Sequence, residues 1–83
     1  MKVDITQQAK RDLKKVSQAI RDKVEEVLED LRQRKYNFRK LTAKGNEWKI
    51  RAGDYRVIIE IDKESDTIFV RRVLPRKDVY KRL

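Results

Sequence analysis

Lys49, Arg51 and Arg56 are the residues of this chain best placed to do chemistry. They lie in the stretch from Trp48 to Ile61, which alternates apolar and cationic residues, turns at Gly53-Asp54 and resumes as a second strand at Tyr55-Arg56. Side chains on a strand alternate between faces, so a tight hairpin puts Lys49 and Arg51 on one face and can bring Arg56 beside them. A rigid cluster of cations calls for a phosphate polyanion. The chain has no histidine, so any proton transfer must use another group. Clustered like charge disfavours the protonated form of a lysine and can lower its pKa from ~10.4, so Lys49 is a candidate base. The arginines stay protonated and can bridge phosphate oxygens in bidentate fashion.

The elements that must hold this cluster are legible from periodicity. Val3 and Ile5 alternate with Lys2 and Asp4, a short strand ending at Thr6. Thr6 is a good N-cap, and Ala9, Leu13, Val16 and Ile20 follow at spacings of four, three and four, one apolar helical stripe. Val24, Val27, Leu28 and Leu31 continue that period to about Arg34. Ser17 can cap a second helix, which predicts a helical hairpin turning near Val16 to Gln18, with one long bent helix as the alternative. The mixed charges at Arg21, Lys23, Glu25, Glu26, Glu29, Asp30 and Arg32 read as a solvated helix face.

Lys35 to Lys40 reads as a connection in which Tyr36 or Phe38 packs under the sheet. Leu41 to Ala43 begins a strand series, with Gly45-Asn46 as a turn signal. Glu47 to Arg51, Tyr55 to Asp62 and Thr67 to Val73 are the best strands, and Asp62 to Asp66 is a polar hairpin loop. Tyr55, Val57, Ile59 and Ile61 share one face of the middle strand; Arg56, Ile58 and Glu60 share the other. A strand apolar on both sides belongs near the centre of a sheet. Phe69 and Arg71 fall on one face of the last strand and Ile68, Val70 and Arg72 on the other, so one of the two arginines extends the cationic face. Pro75 halts the ladder, and a basic tail with Arg76, Lys77, Asp78, Val79 and Tyr80 follows. Tyr80 can stack on a base or bind phosphate; equally, it can pack the tail onto the domain.

Composition sets the outer limits. The 83 residues include no cysteine and are 39% hydrophobic, enough for one domain, 1–83, with a single modest core. Disulfides, thiolate zinc sites and imidazole metal sites are excluded, and no metal or cofactor is expected. No apolar run approaches a membrane span or a signal-peptide core, which points to the cytoplasm and away from membranes. Lys and Arg total 23 against 14 Asp and Glu, a formal charge of +9. Residues 1–34 hold nine bases and seven acids, residues 35–83 fourteen bases and seven acids. The excess sits in the half that reads as sheet, which favours a polyanionic partner: RNA, DNA or an acidic protein.

The residues Trp48–Ile61, then Ile-Phe-Val-Arg-Arg-Val, then Arg-Lys-Asp-Val-Tyr resemble the RelE/ParE superfamily of toxin–antitoxin toxins, and specifically its RelE branch. The Gly-Asp-Tyr-Arg-Val-Ile block and the terminal Arg-x-Asp-Val-Tyr carry most of the likeness, which covers essentially the whole chain. It implies an α+β fold of N-terminal strand, helical hairpin and four-stranded antiparallel sheet. It also implies a toxin that cleaves messenger RNA in the ribosomal A site, and a cognate antitoxin that covers the basic cleft in a hetero-oligomer. By position, Lys49, Arg51, Arg56, Arg76 and Tyr80 match the family's catalytic residues. Arg71, Arg72, Lys77, Lys81 and Arg82 would add RNA contacts. Arg51 stands where some members have lysine, and Pro75 where many have histidine or lysine. The implied reaction is metal-independent: the RNA 2′-hydroxyl attacks the adjacent phosphorus, giving a cyclic phosphate and a free 5′-hydroxyl. Two other classes share parts of the pattern, a ParE-like toxin that inhibits DNA gyrase without nuclease chemistry and a non-catalytic RNA-binding module.

Overall fold

The computed structural model describes residues 2–33, 39–40 and 47–82, of which 39–40 and 80–82 are described by their backbone. Strand β1 is Lys2–Ile5, helix α1 Gln7–Lys14 and helix α2 Gln18–Arg32. Strands β2 (Arg39–Lys40), β3 (Glu47–Ala52), β4 (Tyr55–Asp62) and β5 (Thr67–Pro75) follow, and helix α3 (Arg76–Arg82) comes last. The two helices are separate, as the capping residues predict. Thr6 Oγ1 accepts the Ala9 amide at 3.3 Å and Ser17 Oγ accepts the Ile20 amide at 3.4 Å, each satisfying a donor that the first helical turn leaves unpaired. At the other end of α1, Arg21 Nε donates to the Leu13 carbonyl at 3.0 Å.

The sheet has five strands in the order β1-β5-β4-β3-β2. Strands β2 to β5 are antiparallel to their neighbours, whereas β1 runs parallel to β5, Lys2 beside Thr67 through Ile5 beside Val70. One face packs under α1 and α2. Ala9, Val24, Leu28 and Leu31 from the helices meet Ile50, Ala52, Val57, Ile59, Ile68, Val70 and Val73 from the sheet. Ile58 is fully buried although it points the other way, where it forms a second small cluster with Leu74 and Val79. Burial on both faces suits β4 to a central position, with β3 and β5 beside it.

Three expectations need correction. The strand series is already under way at Arg39-Lys40, which pair with Lys49 and Trp48; the proposed connection therefore ends earlier. Tyr36, Phe38 and the proposed strand at Leu41 to Ala43 lie outside the described residues. Strand β5 runs on to Pro75, paired with Tyr55, as its last residue, a place where a missing amide donor interrupts nothing further. The basic tail is helical: burying Val79 against Ile58 and Leu74 gives a short segment the packing energy it lacks alone. Among the described residues, no helix is long and apolar enough to cross a membrane.

Candidate phosphate-binding site

The cationic row is built by strand alternation. Ile50, Ala52, Val57 and Ile59 are buried in the core under the helices, with Trp48 and Tyr55 packed against it. Lys49, Arg51 and Arg56 therefore project from the opposite face. In the β3–β4 register Arg51 faces Arg56 directly and Lys49 faces Ile58. Directly opposed side chains on antiparallel strands have Cβ atoms about 4.5–5.5 Å apart, and diagonal ones about 7–8 Å. Arg51 and Arg56 are thus immediate neighbours, and Lys49 is diagonal to Arg56 and two residues from Arg51 along β3.

The turn between these strands organises the rest. Gly53 adopts φ +63°, in the left-handed region that a residue without Cβ enters freely. Arg56 Nη1 donates to the Gly53 carbonyl at 3.0 Å and the Tyr55 carbonyl at 2.8 Å. The Arg76 amide donates to the Asp54 carbonyl at 2.9 Å. Three consecutive turn carbonyls thus hold one guanidinium and the first residue of α3. Val79, on the next turn of α3, is anchored on Ile58 and Leu74, and Leu74 is the cross-strand neighbour of Arg56. Arg76 is delivered to the cationic end of the sheet by this pairing.

Among the described residues, no carboxylate forms an ion pair with Arg51, Arg56 or Arg76. Arg51 and Arg76 are exposed and Arg56 is half-buried. Arginines that carry no carboxylate partner and cluster across two strands repel one another, a cost that an incoming phosphate offsets by bridging them.

The two arginines of β5 behave differently. The register shifts between Ile58 and Ile59, which pair with Arg72 and Val70, so that Arg71 is an extra, bulged residue. Simple alternation therefore fails at this point. Arg71 lies over the Phe69 ring, 5.4 Å from its centroid, and pairs with Glu60 at 3.1 Å. Arg72 stands cross-strand from Ile58, yet its Nε and Nη2 donate to Asp12 of α1 at 2.8 and 3.2 Å. Both charges are already matched by carboxylates. Lys77 is exposed on α3; the side chains of Tyr80, Lys81 and Arg82 lie outside the described residues.

Asp12 is the functional-looking residue that composition and motif did not flag. Only 6% exposed, it accepts Arg72 and also the Val73 amide at 2.9 Å, with Gln8 Nε2 at 3.4 Å. Burial pushes its pKa up, but the Arg72 and Val73 bonds outweigh that and hold the carboxyl below its ordinary 3.8. The same pairing raises the Arg72 guanidinium above its usual value. A signal was present in the sequence: Asp12 falls three residues after Ala9 and four before Val16, on the apolar stripe. The carboxylate takes the place of a neighbouring strand where β1 has ended. Beside it, a groove of about 240 Å³ lined by Lys15, Tyr55, Arg72, Leu74, Pro75 and Asp78 separates α1 from α3. Among the described residues, no group of three histidine, cysteine or acidic side chains is arranged to hold a metal.

Comparison with known proteins agrees with this architecture. The family model described as the ParE toxin of type II toxin–antitoxin system, parDE, matches residues 3–80. Toxin RelE3 of Methanocaldococcus jannaschii is 36% identical over 96% of this chain and 96% of its own length. Among solved structures, a chain of the RelB–RelE antitoxin–toxin complex from Methanococcus jannaschii has a TM-score of 0.80 at 30% identity, covering 96% of this chain and 98% of that one. A chain of the RelBE2 toxin–antitoxin complex from Mycobacterium tuberculosis gives a TM-score of 0.76 at 29% identity, covering 90% and 96%.

Proposed function

This chain belongs to the ParE toxin family of type II toxin–antitoxin systems and is RelE-like, and from that premise we propose that it is a ribosome-dependent endoribonuclease that cleaves messenger RNA. The observation that carries the proposal is the junction at the β3–β4 turn. There Arg51 and Arg56 sit opposed on the sheet, Arg76 is tied to the same turn through its amide, and none of the three is matched by a carboxylate among the described residues. That arrangement suits a scissile phosphate whose charge grows as it becomes pentacoordinate.

In the proposed reaction the RNA 2′-oxygen attacks phosphorus and the bond from phosphorus to the 5′-oxygen breaks; the leaving oxygen takes a proton from water, giving a 2′,3′-cyclic phosphate and a 5′-hydroxyl. Lys49, two residues before Arg51 on β3, diagonal to Arg56 and opposite the apolar Ile58, takes the 2′-hydroxyl proton. Arg51, Arg56 and Arg76 hold the non-bridging oxygens. Tyr80, one residue beyond the Val79 anchor, serves to stack on a base or orient a proton transfer. Without histidine the site is a weak catalyst on free RNA, which fits dependence on a ribosome that holds the substrate bent for in-line attack. A cognate antitoxin is the natural partner, since the solved relatives include toxins bound to their antitoxins, and an acidic segment laid over the row would neutralise it.

Purified toxin added to ribosomes programmed with a defined message, followed by primer extension, tests this. Wild type should give discrete cuts, and Arg56→Ala should lose about 10²–10³ in rate, the usual scale for one transition-state charge contact. Intact messages with wild-type toxin would refute the proposal. One observation favours a second reading: the matching family model is that of ParE. Loss of supercoiling by purified DNA gyrase, with messages left uncut, would establish a ParE-like toxin instead.

A further inference from the structure

Helix α1 has a charge pattern that the nuclease site does not use. Lys10, Arg11, Lys14 and Lys15 are all exposed, and at 3.6 residues per turn they span an arc of about 140°. The opposite arc buries Ala9 and Asp12, and Val16 continues it beyond the C-terminal end. Asp12 is the one acid of the helix, and it is bound to Arg72 and the Val73 amide. Among the described residues, no carboxylate forms an ion pair with any of the four bases.

The neighbouring helix is unlike it. On α2, Asp22, Glu25, Glu26, Glu29 and Asp30 are interspersed with Lys23 and Arg32, and Glu29 pairs with Arg32 at 3.3 Å. Solubility is served by mixing signs in that way. Segregating one sign on α1 works against the helix, because Lys10–Lys14 and Arg11–Lys15 are like-charged pairs one turn apart. Nor are the lysines needed as a cap, since Arg21 already donates to the Leu13 and Lys14 carbonyls.

We propose that the exposed face of α1 is a second RNA-docking surface, separate from the β3–β4 cluster, that binds the phosphates of a folded, double-helical RNA. No apolar or aromatic side chain lies among the four bases on this face, so it lacks the anchor on which protein interfaces depend. Phosphate binding needs only charge and reach. Helices α1 and α2 cover one face of the sheet and the cationic row projects from the other, so one backbone serving both surfaces would have to turn across the groove between α1 and α3. A duplex presents phosphates on two strands across a broad surface. The inference rests on the nuclease reading only in taking RNA, not DNA, as the polyanion.

The test is fluorescence anisotropy of a labelled RNA hairpin, titrated with full-length toxin at several salt concentrations. The variant combines Lys10→Gln, Arg11→Gln, Lys14→Gln and Lys15→Gln. Lys2→Gln, Lys23→Gln, Arg32→Gln and Lys63→Gln, four exposed bases away from α1, together control for net charge. The α1 variant should bind about 10–100-fold more weakly, and its slope of log K against log salt should flatten by about 2–4. Its far-UV circular dichroism should match wild type, and the control should keep most of the affinity. Unchanged affinity and slope in the α1 variant, or an equal loss in the control, would overturn the proposal. So would an α1 variant that keeps the hairpin but loses the cognate antitoxin. Cleavage on programmed ribosomes is scored separately: wild type that binds the hairpin through α1 yet cuts nothing retires the nuclease reading and leaves this surface standing.

Discussion

Removing the Asp12 carboxylate should loosen the edge of β5 and the start of α3 together. Asp12→Ala leaves the Val73 amide, at a residue 2% exposed, without its acceptor, which costs about 1–3 kcal/mol. It also removes two charge-assisted bonds from Arg72. Their loss is partly recovered, because the Arg72 side chain is 33% exposed and can turn to water. Together these place the cost at about 2–4 kcal/mol. At about 4–8 °C per kcal/mol for a domain of this size, Tm should fall by about 10–25 °C. Asp12→Asn keeps one carbonyl oxygen for the Val73 amide and should cost about half as much. Thermal unfolding followed by circular dichroism measures both. The folded Asp12 carboxyl lies below its ordinary 3.8, so its stabilising contribution is complete above that value and is lost as pH falls through the folded pKa. The gap in Tm between wild type and Asp12→Asn should therefore hold constant from neutral pH to about pH 5 and narrow below pH 4. A double-mutant cycle with Arg72→Gln should show coupling of at least about 1 kcal/mol. An Asp12→Ala protein melting within about 3 °C of wild type, or a gap that widens in acid, would refute this role for Asp12.

Two further substitutions probe how the site is held. Gly53→Ala puts a Cβ at φ +63° and 3.2 Å from Lys23 Cδ; the lysine can move aside, but the backbone strain should cost about 1–2 kcal/mol. Gly53→Asn, which tolerates that region better, should cost less, and equal Tm values for Gly, Asn and Ala would show that the turn is not held left-handed. Val79→Ala removes the α3 anchor over Ile58 and Leu74 and should cost about 1–3 kcal/mol. Amide hydrogen exchange should quicken at residues 76–80 while β4 stays protected; unchanged exchange there would mean that α3 does not depend on Val79.

The β4–β5 bulge marks the limit of what local pattern can say. Up to Val70 the alternation of β5 is as periodicity predicts, with Ile68 and Val70 in the core. Beyond it the extra residue, Arg71, shifts the later side chains relative to β4. Whether a strand accommodates one extra residue depends on the register of its partner, which no short window contains. Neither β5 arginine adds an unmatched charge to the cationic row, because Arg71 is paired with Glu60 and Arg72 with Asp12.

The sequence by itself determined the capped helices, the limits of β4, the tight turn at Gly53-Asp54, and the face carrying Lys49, Arg51 and Arg56. These follow from hydroxyl caps, from periods of 3.6 and 2, and from a residue that accepts positive φ. All are rules satisfied within a few neighbouring residues. Tertiary structure alone decided that β1 lies parallel to β5, that Asp12 is paired with an arginine sixty residues away, and that the terminal segment becomes a helix delivering Arg76 to the turn. A seven-residue helix is too short to persist unaided. Its existence depends on Ile58 and Leu74 presenting an apolar seat from two different strands.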